Sequence, residues 1–227
     1  MAHLRYISAT LGALAYGVAL QVNAATNTFT ATGTVTDGPV DASAVFVTGN
    51  GTITITLNDL LANPTSAGQL ISDLDFTLST GATTGTLGSS SGTLITINGN
   101  GSSTIGTTGA TRWMLNSGVS GGLQLDDLGF GQPSQLIIGP GPYTSANGSI
   151  AGNGPHNPFL NGTATFIVDV SGVTAATTIT GATFSFGTTP GIDVPGTPGT
   201  SVPEPATLSL LGLGLAGIGF MRRRKKS

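Results

Sequence analysis

The chain has 227 residues, of which 7% are charged, with 36 glycines, 12 prolines and no cysteine. Lack of cysteine excludes disulfides, thiolate metal sites and a cysteine nucleophile. Between Ala25 and Val202 a single base, Arg112, stands against nine aspartates, a formal charge of −8 that repels phosphate backbones and excludes nucleic acid as a partner.

The first segment, "MAHLRYISATLGALAYGVALQVNAA", places His3 and Arg5 ahead of an apolar stretch from Ile7 to Leu20. Val22-Asn23-Ala24 then sets small residues where a signal peptidase reads. Residues 1–24 are therefore expected to be a secretory signal peptide, cut between Ala24 and Ala25.

From 25 to 189 the pattern is that of an all-β domain. Gly51–Leu57 alternates Ile53, Ile55 and Leu57 on one face with Thr52, Thr54 and Thr56 on the other. Similar runs cover Thr28–Val35, Ala44–Val47, Leu74–Ser79, Thr93–Asn98, Thr163–Val170 and Thr183–Phe186, separated by Asn-Gly, Asp-Gly and Gly-Asn turn pairs. Short strands without helical periodicity predict an antiparallel β-sandwich or jelly roll. Asn58–Leu61 and Val119–Leu125 have room for a helical turn. Phe130–Pro158, rich in Gly, Pro and Asn, reads as loop interrupted at Leu136–Ile138. Residues 190–201 ("PGIDVPGTPGTS") have prolines that cannot donate within a sheet interior, which predicts an extended linker.

The last segment, 202–227, has three parts. Val202-Pro203-Glu204-Pro205 comes first, then the uncharged stretch 206–221, then Arg222, Arg223, Arg224, Lys225 and Lys226. As a helix the uncharged stretch would rise roughly 24 Å, enough for a single transmembrane helix with modest membrane thinning or arginine snorkelling. The basic cluster stays cytoplasmic, which leaves the body outside the inner membrane. Gly212, Gly214 and Gly217 match a dinucleotide fingerprint by composition only, since no βαβ unit surrounds them.

Pro-Glu-Pro, a Gly/Leu-rich span and a terminal arginine cluster, in that order, resemble the PEP-CTERM sorting signal. The resemblance implies export by a Gram-negative bacterium that makes extracellular polysaccharide, with processing by an exosortase, an integral membrane enzyme. It assigns recognition to Pro203, Glu204 and Pro205, stop-transfer to 206–221, and cytoplasmic retention to Arg222–Lys226.

The catalytic inventory of the body is thin. His156 is the only histidine beyond the leader, and no G-x-S-x-G elbow accompanies it. Asp73 with Asp75, and Asp126 with Asp127, are the paired acids that glycoside chemistry would need. Asp126 and Asp127 are also the calcium candidates, although no EF-type loop surrounds them. Trp113, Tyr143, Phe130 and Phe159 are the rings on which a sugar would stack, with burial of Trp113 the favoured placement. Neither a cofactor nor a metal is therefore expected, and no catalytic residue is assigned.

The leading expectation is a non-enzymatic surface or extracellular-matrix protein. It would pass through signal peptidase, inner membrane and exosortase, and associate with exopolysaccharide or biofilm at the cell surface. Two alternatives remain: a secreted carbohydrate-binding module or glycoside-active enzyme, and a self-assembling adhesin or fibre subunit with few charges guarding its strand edges.

Overall fold

The computed structural model describes residues 24–131 and 133–199. The expected signal peptide 1–24 (but for Ala24), the expected transmembrane stretch 206–221, the basic cluster Arg222–Lys226 and the motif around Pro203 lie outside them. Thirteen strands run in chain order: β1 (Thr26–Val35), β2 (Gly38–Thr48), β3 (Thr52–Asp59), β4 (Ile71–Leu78), β5 (Thr86–Ile97), β6 (Ser103–Gly109), β7 (Met114–Val119), β8 (Gly122–Asp126), β9 (Ile137–Ile138), β10 (Phe159–Asp169), β11 (Ile179–Phe186), β12 (Asp193–Pro195) and β13 (Thr197–Pro198). Two single 3-10 turns, Ala67–Gln69 and Leu128–Phe130, are the helical pieces among the described residues. All-β is therefore the observed class.

Period-two alternation decides which face each strand buries. Ile53, Ile55 and Leu57 of β3 are fully buried, as are Phe166 and Val168 of β10. The threonines between the β3 residues stay half-buried. Facing strands bring these residues together across one core. Phe46 of β2 and Phe76 of β4 are four places apart in the hydrogen-bonded order, yet their ring centroids lie 5.5 Å apart. The sheet must fold back on itself to allow that contact, giving a sandwich-like body. A smaller core, with Tyr143, Ile150 and Phe159, sits beneath the long 139–158 loop.

Several expectations need correction. The sheet is mixed rather than wholly antiparallel, because β9 pairs with β10 in parallel while meeting β4 in antiparallel sense. The 139–158 loop supplies the long return that a parallel pair requires. Val119–Leu125 forms no helical turn; it is the β7–β8 hairpin, turned by Ser120 and Gly121 at φ 49° and 76°. Two successive positive φ values match the right-handed twist of the flanking strands. Asn58 and Asp59 extend β3, and the Asp59 carboxylate then accepts a hydrogen bond from Leu61 N at 3.1 Å.

The linker is corrected too. Residues 193–198 are paired rather than free. Thr183 and Ser185 of β11 face Pro195 and Asp193 of β12, while Phe29 and Thr30 of β1 face Pro198 and Thr197 of β13. Those strands are the two ends of the sheet's hydrogen-bonded path, joined through Gly196. Each proline lies on an edge, where its missing donor breaks no ladder. A Cβ on Gly196 would come within 2.9 Å of Ala182 O and 3.0 Å of the Phe184 ring. Glycine is what lets the strap cross so close to the sheet.

Candidate functional site

The richest concentration of ionisable groups lies on the outward face of the β8–β4–β11–β12 limb. Register alone sets it up. Asp126 faces Asp73, Asp73 faces Ser185, and Ser185 faces Asp193, a row crossing four strands. One row along, Gln124 faces Asp75, which faces Thr183. Alternation puts Asp73 and Asp75 on the same side of β4, opposite Leu74 and Phe76, which fill the core.

The carboxylates in this row are not equivalent. Asp126 is a structural acceptor: its Oδ1 takes Leu128 N at 2.6 Å and its Oδ2 takes Asn116 Nδ2 at 2.9 Å, fixing the turn after β8. Asp73 is 4% exposed, and its Oδ1 has no hydrogen-bond partner. Burial first, then repulsion from Asp75, Asp126 and Asp193, lifts its pKa to about 7, with a hydrogen bond from Ser185 opposing the rise. Asp75 is raised in the same sense, chiefly by burial, and Ser120 Oγ donates to its Oδ2 at 3.3 Å. Ser185 Oγ donates to Asp193 Oδ1 at 2.6 Å.

A cleft of about 530 Å³ opens beside this row. Asp75, Ser120, Thr180 and Asp193 contribute polar groups, and Phe29 and Pro198 contribute apolar walls. Both phenylalanines at its edge, Phe29 and Phe76, are buried and offer no stacking face. A second depression of about 600 Å³, between β6 and the Pro140–Thr144 loop, has mostly apolar walls that include Ile95 and Ile105.

Asp127 belongs to a different environment from its neighbour. It is 1% exposed and accepts Gln135 N at 2.9 Å. Burial raises its pKa to about 7, with Gln135 and the Arg112 charge opposing. Gln135 then ties the strand entrance together: its side chain accepts Arg112 N, and its carbonyl accepts Trp113 Nε1 at 2.9 Å. Asp126 and Asp127 thus serve separate hydrogen-bond networks. Among the described residues, no three acidic or histidine side chains gather in a way that could hold a metal ion.

The remaining candidates are placed as follows. Trp113 is 3% exposed and packs its ring on Phe166 at 5.2 Å; Tyr143 and Phe159 are buried. Those three rings are core, as alternation with Arg112 and Met114 had suggested for Trp113, and give no sugar-stacking platform. The side chain of Phe130 is outside the description. His156 donates through Nδ1 to Pro133 O at 2.7 Å, since a carbonyl can only accept. Asp59, 2% exposed, has its pKa pushed well up by burial and keeps one oxygen unpartnered.

Sequence reasoning found the pairing of Asp73 with Asp75 but missed Ser185 and Asp193. Asp193 sits within a Pro/Gly stretch that read as linker, and nothing local connects it to residues more than a hundred positions earlier. The rule that prolines survive at sheet edges was the one available hint.

What the two ends of the fold meet is informative. Ala25 N donates to Ala175 O at 2.9 Å and Ala25 O accepts Thr48 N at 3.1 Å, so Ala25 is already tied into the fold. At the other end of the described residues, Gly199 N donates to Thr28 O at 2.7 Å. Among the described residues no helix is long and apolar enough to cross a membrane. The body is an all-β domain followed directly by a tail of another character. Residues 201–225 match the PEP-CTERM protein-sorting motif, a signal that implies an exported, membrane-anchored precursor processed by an exosortase. No curated protein and no solved structure matches the chain.

Proposed function

We propose that the chain is an exported, non-enzymatic surface or extracellular-matrix protein, associated with exopolysaccharide or biofilm. Signal peptidase removes residues 1–24. The exosortase recognises Pro203, Glu204 and Pro205 while 206–221 spans the inner membrane and Arg222, Arg223, Arg224, Lys225 and Lys226 remain in the cytoplasm. The folded body is then left at the cell surface. The observation that carries this reading is the sorting motif at 201–225. All thirteen strands of the described residues lie between Thr26 and Pro198, inside both proposed cuts.

Burial of Trp113, Tyr143 and Phe159 weighs against the carbohydrate-stacking alternative. Intact-mass analysis of the exported protein tests the proposal. The expected species begins at Ala25 and ends near Pro203–Pro205, with any added mass reporting the anchor. A mass running to Ser227 would overturn it. So would an unchanged mass and location in cells lacking the exosortase.

A further inference from the structure

The strap Asp193–Pro198 joins the two ends of the sheet's hydrogen-bonded path and precedes the sorting motif in the chain by only a few residues. Its attachment is slight. β12 pairs over three residues and β13 over two, with Gly196 N donating to Ala182 O at 2.8 Å between them. Val194 is half-buried against the core, and most of the strap's other side chains are exposed. Short exposed strands of this kind are the first to open.

One of its side-chain anchors is Asp193, held by the Ser185 hydroxyl at 2.6 Å. That hydroxyl has one proton. It lies between two carboxyls, because Asp73 stands on the other side of Ser185 in the same row and also draws on it. With Asp73 protonated, one hydrogen-bond chain can run through the row: Asp73 O–H donates to Ser185 Oγ, and Ser185 O–H donates to Asp193 Oδ1. With Asp73 ionised, two anions compete for that single donor. Asp73 Oδ1 is buried without a partner, so ionisation has no second donor to draw on.

We propose that the strap is a proton-controlled latch: protonated Asp73 completes the hydrogen-bond chain that holds β12 on β11, and ionised Asp73 releases the strap and lengthens the tether to the sorting motif. The carboxylates facing Asp73 all favour its protonated form, and the Ser185 hydrogen bond opposes them. Asp75 faces it from its own strand, Asp126 from β8 and Asp193 from β12, while β11 supplies only the neutral Ser185; the Arg112 charge bears on Asp127 instead. The lifted pKa, about 7, places the change near neutral pH. Released, Gly187–Gly199 spans roughly 40 Å at ~3.3 Å per residue. The consequence for the tether rests on the tail being the sorting handle proposed above; the latch itself does not.

Because the chain has no cysteine, two introduced ones carry the only spin labels. Thr197→Cys on the strap and Thr163→Cys on β10, both exposed, are measured in the full chain in detergent micelles by pulsed dipolar spectroscopy. The expected result is one narrow distance at pH 5 and a broad distribution at pH 8.5, changing over near pH 7. Asp73→Asn should stay narrow at both, since its amide donates to Ser185 without charge; Ser185→Ala should be broad at both. Should Asp73→Asn fail to fold, Asp193→Asn, which removes the facing anion, is expected to stay narrow. An unchanged wild-type distance overturns the latch. Loss of the far-ultraviolet β signal at pH 8.5 overturns it too, since that would be global unfolding. A working latch in a protein whose tail proves unprocessed would leave the latch standing and remove only its link to sorting.

Discussion

The two outward faces of the sheet solve the problem of meeting water in different ways. On the β2–β3–β10–β5 limb the central cross-strand rows read Val45–Thr56–Thr165–Ser91 and Ser43–Asn58–Thr163, with no ionisable group; the acids of that face, Asp41 and Asp169, stand apart at its rims, facing Thr32 and Thr52. On the β8–β4–β11–β12 limb the equivalent row carries Asp126, Asp73, Ser185 and Asp193. Hydroxyls and amides remain hydrated at little electrostatic penalty and are insensitive to pH. Carboxylates packed side by side are not, because each burial and each like-charged neighbour disfavours the ionised form. The first face is therefore neutral at its centre, while the second crowds its carboxylates together, and that crowding is where pH acts most strongly.

The sharpest way to break this comparison is to remove what both faces share. Phe46 touches Phe29 at 6.0 Å and Phe76 at 5.5 Å between ring centroids, and is fully buried. Phe46→Ala is expected to destabilise the domain by about 3–5 kcal/mol. Urea melts should show a lower midpoint with a single transition; a loss confined to one limb would mean the core is not shared.

An effect of at most similar size separates the faces. Folded Asp73 keeps its proton until about pH 7, whereas an unfolded carboxyl releases it near pH 4, and Asp127 behaves alike. Between those values the folded state binds more protons than the unfolded one, so stability falls as pH rises and levels off above about 7. The stability lost at Asp73 is on the order of 4 kcal/mol at most. Thermal melts should therefore drop from pH 4 to pH 8, and Asp73→Asn should recover much of the drop at pH 8 while changing little at pH 4. A melting curve that rises with pH would contradict the burial of these acids.

The smallest effect should come from the neutral face. Thr56→Lys places a cation among threonines with no acidic neighbour in register. The melting free energy is expected to move by no more than about 0.5 kcal/mol, with no new pH dependence. The same substitution made at Asp75, beside Asp73, should instead alter the pH profile.

Strand positions were legible where alternation was strict. Ile53, Ile55 and Leu57 announced β3, and Ala164, Phe166 and Val168 announced β10, because a period of two has one reading when a face is buried. β6 was missed: its sequence STIGTTG is exposed throughout and carries no hydrophobic alternation. The strap was misread for a related reason. A proline's missing donor matters only relative to its neighbours, and the sequence does not say which side of a strand is paired.

Chain chemistry by itself determined the all-β class, the single body and the sorting tail, because turn residues, alternation and the charge block at the end are local properties. Only the tertiary structure decided that Asp193 closes the sheet beside Asp73 and that Asp126 and Asp127 serve separate networks. Each of those depends on strands distant in sequence meeting in register, and hydrogen-bond register between remote segments is a property of the folded sheet as a whole.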